Sequence, residues 1–259
     1  MHTSFRIMNG FCGTVVLAVF LGWTLAARAQ FTAYNDFVPD YAAGATNVTQ
    51  NQNAGTYALK DYVTGATVTP TMTITRSGLS TDGTGPSAEI SGGDALAIFG
   101  GKVAGRGKVM APSTGWYFTM EFSGLDVNKT YTVATFTDRG EPSYDNKRWA
   151  NISLVNADST IATYACSVGV GNYQVSPTSV SQDSGYNTVE GFVAMWTGIA
   201  PGPDGKFSVH FRAATAAEVP EAYRAGMKAD SGYGPAGLML EEEGPPNAIN
   251  ISPAVINSV

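Results

Sequence analysis

The chain has 259 residues, with 15 Lys and Arg against 21 Asp and Glu and a formal charge of −6 at neutral pH. A nucleic acid binds by exchanging its condensed counterions for clustered Lys and Arg, and so sparse and scattered a basic set excludes that partner. Charged residues are only 14% of the total while Gly reaches 30 residues, a mix suited to a turn-rich exported β-protein and not to a helical one.

Residues 1–29 read as a cleaved signal peptide. Arg6 supplies a positive start, Thr14 to Ala27 is an uncharged apolar run, and Ala27-Arg28-Ala29 has the small-x-small form of a cleavage site. The run falls short of the roughly 20 residues a membrane helix needs, so a leader is expected here and not an anchor. Cys12 precedes the run, whereas a lipid-anchoring cysteine would follow it. No later segment is long and apolar enough to span a bilayer. The mature domain is therefore expected over 30–243, secreted or at the cell surface. Loss of Arg6 and Arg28 from the 15 basic residues leaves 13 against 21 acids, a formal charge of −8.

Downstream of the leader, period two dominates and period 3.6 is scarce. Phe31 to Asn35 opens a strand, and residues 41–55 are small, polar and aperiodic, as in a surface loop. Val68, Met72 and Ile74 alternate with Thr, and Ala95 to Phe99 reads as a short apolar strand. The glycine-rich stretch Gly100 to Lys108 lacks phosphate-loop spacing and reads as a loop. Trp116, Phe118, Met120 and Phe122 alternate with Tyr117, Thr119 and Glu121, the clearest amphipathic strand in the chain. Further strands are expected at Tyr131 to Phe136, Trp149 to Val155, Ile161 to Cys166, Val189 to Trp196, Phe207 to Arg212 and Gly237 to Glu241. Pro203-Asp204-Gly205 predicts a hairpin turn, and Glu218 to Met227 a helical turn or two. About ten short strands separated by turn residues predict an all-β fold, an antiparallel β-sandwich or jelly roll.

Cysteine and histidine counts narrow the chemistry. Beyond the leader only Cys166 and His210 remain, so neither an intrachain disulfide nor a histidine-rich zinc site can form. Cys166, in an apolar-rich stretch, reads as a small buried hydrophobe. A Ser-His-Asp hydrolase would have to use His210. Phe207, Val209 and Phe211 alternate with Ser208, His210 and Arg212, which puts that histidine on the solvent face of a strand.

Two stretches resemble known families. Gly124 to Val133 (GLDVNKTYTV) resembles the turn-then-strand of fibronectin type III and related sandwiches. The resemblance implies that the Leu plugs the core and the Tyr hydroxyl bonds back to the loop as a tyrosine corner. The order of the whole, ending in Tyr233 to Glu242 (YGPAGLMLEE), resembles the galactose-binding-like jelly rolls of exported bacterial proteins. That likeness implies sugar binding on loops or on a sheet face, and in several members a structural calcium near the paired terminal strands. Asp36 and Asp40 with Glu241, Glu242 and Glu243 are compatible with oxygen ligands for calcium; a merely acidic, solvated edge is the competing reading, and no other cofactor is expected.

The one concentration of unusual residues is Asp138 to Trp149 (DRGEPSYDNKRW), which joins two predicted strands. Flat aromatic faces and groups able to hold paired hydroxyls suit sugar recognition, which makes Arg139, Glu141, Tyr144, Asn146, Arg148 and Trp149 the candidate ligand-binding residues. In the competing reading Arg139 and Arg148 pair with Glu141 and Asp145, and Trp149 enters the core. Asp138 with Glu141 is one of many acid pairs that could be tried for glycoside cleavage, and nothing distinguishes it. The expected function is a non-catalytic binding or adhesion module with carbohydrate as the favoured ligand. A structural spacer of a larger surface protein is the first alternative, and a jelly-roll glycoside hydrolase or lyase the second. Glu243-Gly244-Pro245-Pro246 reads as a linker, so 244–259 is expected to be a linker and the start of a further module.

Overall fold

A computed structural model describes residues 30–37, 46–80, 89–104, 113–155 and 161–243. The expected leader, Cys12, Asp40, residues 105–108 of the glycine-rich loop and the expected linker at 244–259 lie outside the described residues.

Alternating side chains build two sheets packed face to face. The first holds β1 (Thr32–Asp36), β2 (Thr49–Gln50), β6 (Tyr131–Phe136), β8 (Thr163–Tyr164), β11 (Ala194–Ile199) and β13 (Gly237–Glu242), in the order β2-β1-β13-β6-β11-β8. The second holds β3 (Gly55–Lys60), β4 (Thr67–Ser77), β5 (Tyr117–Ser123), β7 (Trp149–Val155), β9 (Asn172–Ser176), β10 (Ser179–Asp183) and β12 (Phe207–Ala213), in the order β3-β4-β5-β12-β7-β10-β9. Every pairing is antiparallel except the short parallel contact of β1 with β2. The chain is an all-β sandwich.

The core is the set of inward residues that the alternation predicts. Phe118, Met120 and Phe122 of β5 stand beside Phe211, Val209 and Phe207 of β12, and all are fully buried. They face Tyr131 and Val133 of β6, Trp196 of β11, and Leu238 and Leu240 of β13 across the sandwich. Each such side chain contributes on the order of 1.5–3 kcal/mol before chain entropy is counted.

Two expectations fail locally. Ala95 to Phe99 belongs to a helix, α1 (Gly93–Phe99), and not to a strand. A five-residue apolar run has no readable period, and here Ala95 and Phe99, one helical turn apart, are the buried pair while Leu96 is exposed. The helix lies on the outer face of the first sheet, with Phe99 and Phe136 rings 4.9 Å apart, so β6 is buried on both faces. The Pro203-Asp204-Gly205 turn closes with Gly205 N–H donating to Gly202 O at 2.8 Å, yet it joins strands of opposite sheets, so it is a corner and not a hairpin. The helical expectation near 218–227 corresponds to a short 3-10 turn, Ala216–Glu218, and to α2 (Glu221–Arg224).

The tyrosine corner forms. The Asp126 N–H donates to Tyr131 Oη at 2.8 Å, Leu125 is buried in the core, and Leu125 N–H donates to Gly205 O at 3.1 Å. This fastens one end of the sandwich. The chain passes between sheets at the other end, and that is where the candidate segment lies.

Candidate functional site at the sandwich rim

Residues 137–148 carry the chain from β6 in one sheet to β7 in the other. A second crossover, 184–193, runs from β10 to β11 beside it, and 231–236 descends into β13. Buried carboxylates tie these segments together. Asp138 Oδ1 accepts from the N–H groups of Gly140 and Asn187, both at 2.8 Å, and Oδ2 accepts from the Thr188 hydroxyl at 2.9 Å. Burial pushes the Asp138 carboxyl up to about 6 against the pull of those bonds and of the neighbouring Arg139. Asp183 accepts from Gly185 N–H at 3.0 Å and from Asn146 N–H at 2.7 Å, and burial, with Asp145 alongside, holds it well above the ordinary carboxylate range. Backbone bonds add Arg139 N–H to Ser184 O and Glu141 N–H to Gly185 O. Ser184 also donates its hydroxyl to Arg148 O and accepts from Tyr233 N–H.

On this frame the six candidate residues divide. Arg139 is only 8% exposed; its guanidinium lies 5.9 Å from the centre of the Tyr233 ring, and its Nε and Nη1 donate to no protein group. Arg148 is half-buried, stacked over the Tyr144 ring at 3.8 Å and 5.4 Å from the centre of Tyr233. Arg139, Tyr144 and Arg148 therefore converge, and Tyr233 stands among them. Glu141 accepts from Ser143 N–H at 3.3 Å and caps a 3-10 turn over Pro142–Tyr144. Asn146 acts through its backbone, at φ 56°. Trp149 is the correction: it is fully buried, donates from Nε1 to Asn146 O at 3.1 Å and stacks on Tyr223, so its ring presents no face to a ligand. Among the described residues neither arginine forms an ion pair with Glu141 or Asp145.

Tyr233 is the residue that sequence reasoning missed. It is 1% exposed; burial pushes its hydroxyl up, opposed by the charges of Arg148 and Arg139 and by a hydrogen bond with Arg139. Its SGYG setting marks a turn, and nothing local links it to a segment so distant in sequence.

The opposite end of β6 borders a groove of about 950 Å³, lined by Thr32, Asp61, Thr64, Lys129, Tyr131 and Glu242 among others. Its polar groups satisfy one another. Lys129 pairs with Glu242, and Asp61 accepts from Thr32 N–H and from the N–H and hydroxyl of Thr64. The groove offers no buried unmatched donor of the kind Arg139 presents.

The acids considered for calcium separate. Antiparallel pairing sets Thr32 opposite Glu241 and Asp36 opposite Gly237, so Asp36 and Glu241 lie at opposite ends of the strand pair. Asp36 accepts from Ala104 N–H, while Glu243 accepts from the hydroxyls of Thr130 and Thr132. Among the described residues no three His, Cys, Asp or Glu side chains group closely enough to hold a metal.

His210 lies on the outer face of the second sheet, hydrogen-bonded through Nδ1 to the Thr119 hydroxyl at 2.7 Å and stacked with Tyr117. Burial, with Arg212 nearby, lowers its pKa. Cys166 is buried, and that burial pushes the thiol up to about 11, so it stays protonated and unreactive at neutral pH. Among the described residues no helix is long and apolar enough to cross a membrane. No family model, curated protein or solved structure matches this chain.

Proposed function

We propose that this chain is an exported, non-catalytic binding module whose ligand is a carbohydrate. The reading is carried by the buried Arg139 guanidinium, whose Nε and Nη1 have no protein acceptor although the backbone and carboxylates around it are hydrogen-bonded. A buried donor without a partner costs about 1–3 kcal/mol, and more when charged, so a fold retains one where an external group completes the bond. The position agrees: loops at the rim of a sandwich, held by rigid strands, are where such folds carry recognition. The strand pattern that resembles galactose-binding-like jelly rolls and the leader-like 1–29 segment support an exported sugar binder.

The acids favour binding over turnover. Both oxygens of Asp138 are occupied by three donors and the residue has no exposure, so it cannot reach a glycosidic bond, which removes the Asp138–Glu141 pair. The test is a glycan array probed with the exported chain, followed by calorimetry and a reducing-end assay on each bound polysaccharide. Saturable binding without release of reducing ends is expected. Failure to bind any glycan would return the chain to the spacer class, and release of reducing ends would make it an enzyme.

A further inference from the structure

Two buried polar atoms of Arg139 share one property. Nε and Nη1 have no protein acceptor, and each carries a hydrogen to donate. The neighbouring carboxylate Asp138 gives both oxygens to Gly140, Asn187 and Thr188 and acts on Arg139 through its charge without an ion-pair contact, while Asp183 is bonded to Asn146 and Gly185. A second guanidinium, Arg148, converges with Arg139 on the Tyr233 ring from its stack on Tyr144. Among the described residues these two cations near one ring form no ion pair with an acid, inside a chain whose formal charge is −6. Their mutual repulsion and desolvation oppose folding and favour an incoming negative group.

From this donor-only set we infer that the group received at the rim is an oxyanion carried by a sugar, the carboxylate of a uronic acid or a sulfate ester. The inference rests on the carbohydrate-binding reading and names the chemistry of its ligand. An oxyanion has acceptors and no hydrogens, which complements Arg139, and its charge offsets Arg139 and Arg148 together. A neutral sugar hydroxyl accepts one bond but brings its own hydrogen and no charge. A densely charged polyanion such as nucleic acid meets only these two arginines on an otherwise acidic protein, whereas one acidic sugar unit needs no more than them.

The experiment uses matched probes and the full exported chain at physiological salt. Oligogalacturonate is compared with its carboxyl-reduced form and a sulfated galactan with its desulfated form, all by calorimetry. At least one acidic probe is expected to bind roughly tenfold or more tightly than its neutral match, the range of a charge-assisted contact. The pair that discriminates shows whether carboxylate or sulfate is preferred. Arg139→Gln should remove that preference and Arg148→Gln reduce it, while Lys206→Gln, in an exposed ion pair on the second sheet, leaves it intact. Circular dichroism confirms that each variant is folded. Equal binding of acidic and neutral members would overturn the oxyanion inference while leaving the carbohydrate reading in place. Failure of every probe would overturn both. Displacement by acetate or inorganic sulfate at the same affinity as the oligosaccharide would show a bare anion site and overturn the sugar part.

Discussion

Replacing Asp138 by Asn should make the protein more stable at pH 8 and leave it nearly unchanged at pH 4. The Asp138 carboxyl is pushed from 3.8 to about 6 by burial, so the folded chain holds a proton between those values that the unfolded chain has released. The protein binds more protons folded than unfolded in that window, and stability contributed by this residue therefore falls as pH rises from about 4 to about 6. A shift of about two pH units corresponds to roughly 3 kcal/mol, fully expressed above pH 6. Asn can keep the bonds: its Oδ1 accepts from Gly140 and Asn187, and its Nδ2 can donate to Thr188 once that hydroxyl rotates. Urea unfolding of wild type and Asp138→Asn across pH 4–8 measures the difference directly, which cancels the titration of the other acids. At roughly 2–4 °C per kcal/mol for a chain of this size, the variant should melt about 6–12 °C higher at pH 8. A difference that does not change with pH, or a variant less stable at pH 8, would refute the account of Asp138 as a buried, reluctantly ionised acid.

Tyr131→Phe removes the acceptor of the Asp126 N–H and should cost about 1–3 kcal/mol, read as a lower urea midpoint at unchanged slope. Gly185→Ala would set a methyl carbon 2.2 Å from the Tyr144 carbonyl oxygen, so it should cost about 1–3 kcal/mol and weaken ligand binding by shifting the Tyr144 turn; an unchanged melting curve would contradict this. Arg139→Met removes the unmatched donors and should raise unliganded stability by about 1–3 kcal/mol while abolishing ligand binding, and a lower melting temperature would show the guanidinium to be structural.

The sandwich was legible because alternation survives in the strands that fill the core. In β5 and β12 every second residue is large and apolar, and the register pairs them: Phe122 with Phe207, Met120 with Val209, Phe118 with Phe211. The Leu125–Tyr131 corner was legible for a different reason, a local bond between residues close in sequence. Strand β10 escaped notice because, apart from Val180, its buried residues are polar and held by hydrogen bonds. Ser181 and Gln182 have no exposure, and Gln182 accepts from Thr137 N–H while donating to Asn172 Oδ1 and Phe192 O. Hydropathy reads such a segment as loop. The 138–149 segment stood out by composition, which brought Arg139, Tyr144 and Arg148 into view together. Composition could not show that Trp149 turns inward, nor that Tyr233 from the strand-β13 approach completes the group, since that depends on which segments meet at the rim.

The unmatched donors of the rim are tied to its rigidity. A loop free to rearrange would swing Arg139 into water and leave nothing buried and unpaired. Here the backbone N–H of Arg139 is fixed to Ser184 O, its neighbour Asp138 is bonded to the adjacent crossover, and Gly140, at φ 67°, turns the chain where a side chain would be strained. The cost of holding the guanidinium in place is met by the frame during folding, before any ligand arrives. Binding then loses little conformational entropy, so a site with few contacts can still reach useful affinity. It also follows that changes to the frame, as in Gly185→Ala, should weaken binding without touching a ligand-facing atom. Gly124→Ala, beside the groove at the other end of β6, should leave binding untouched.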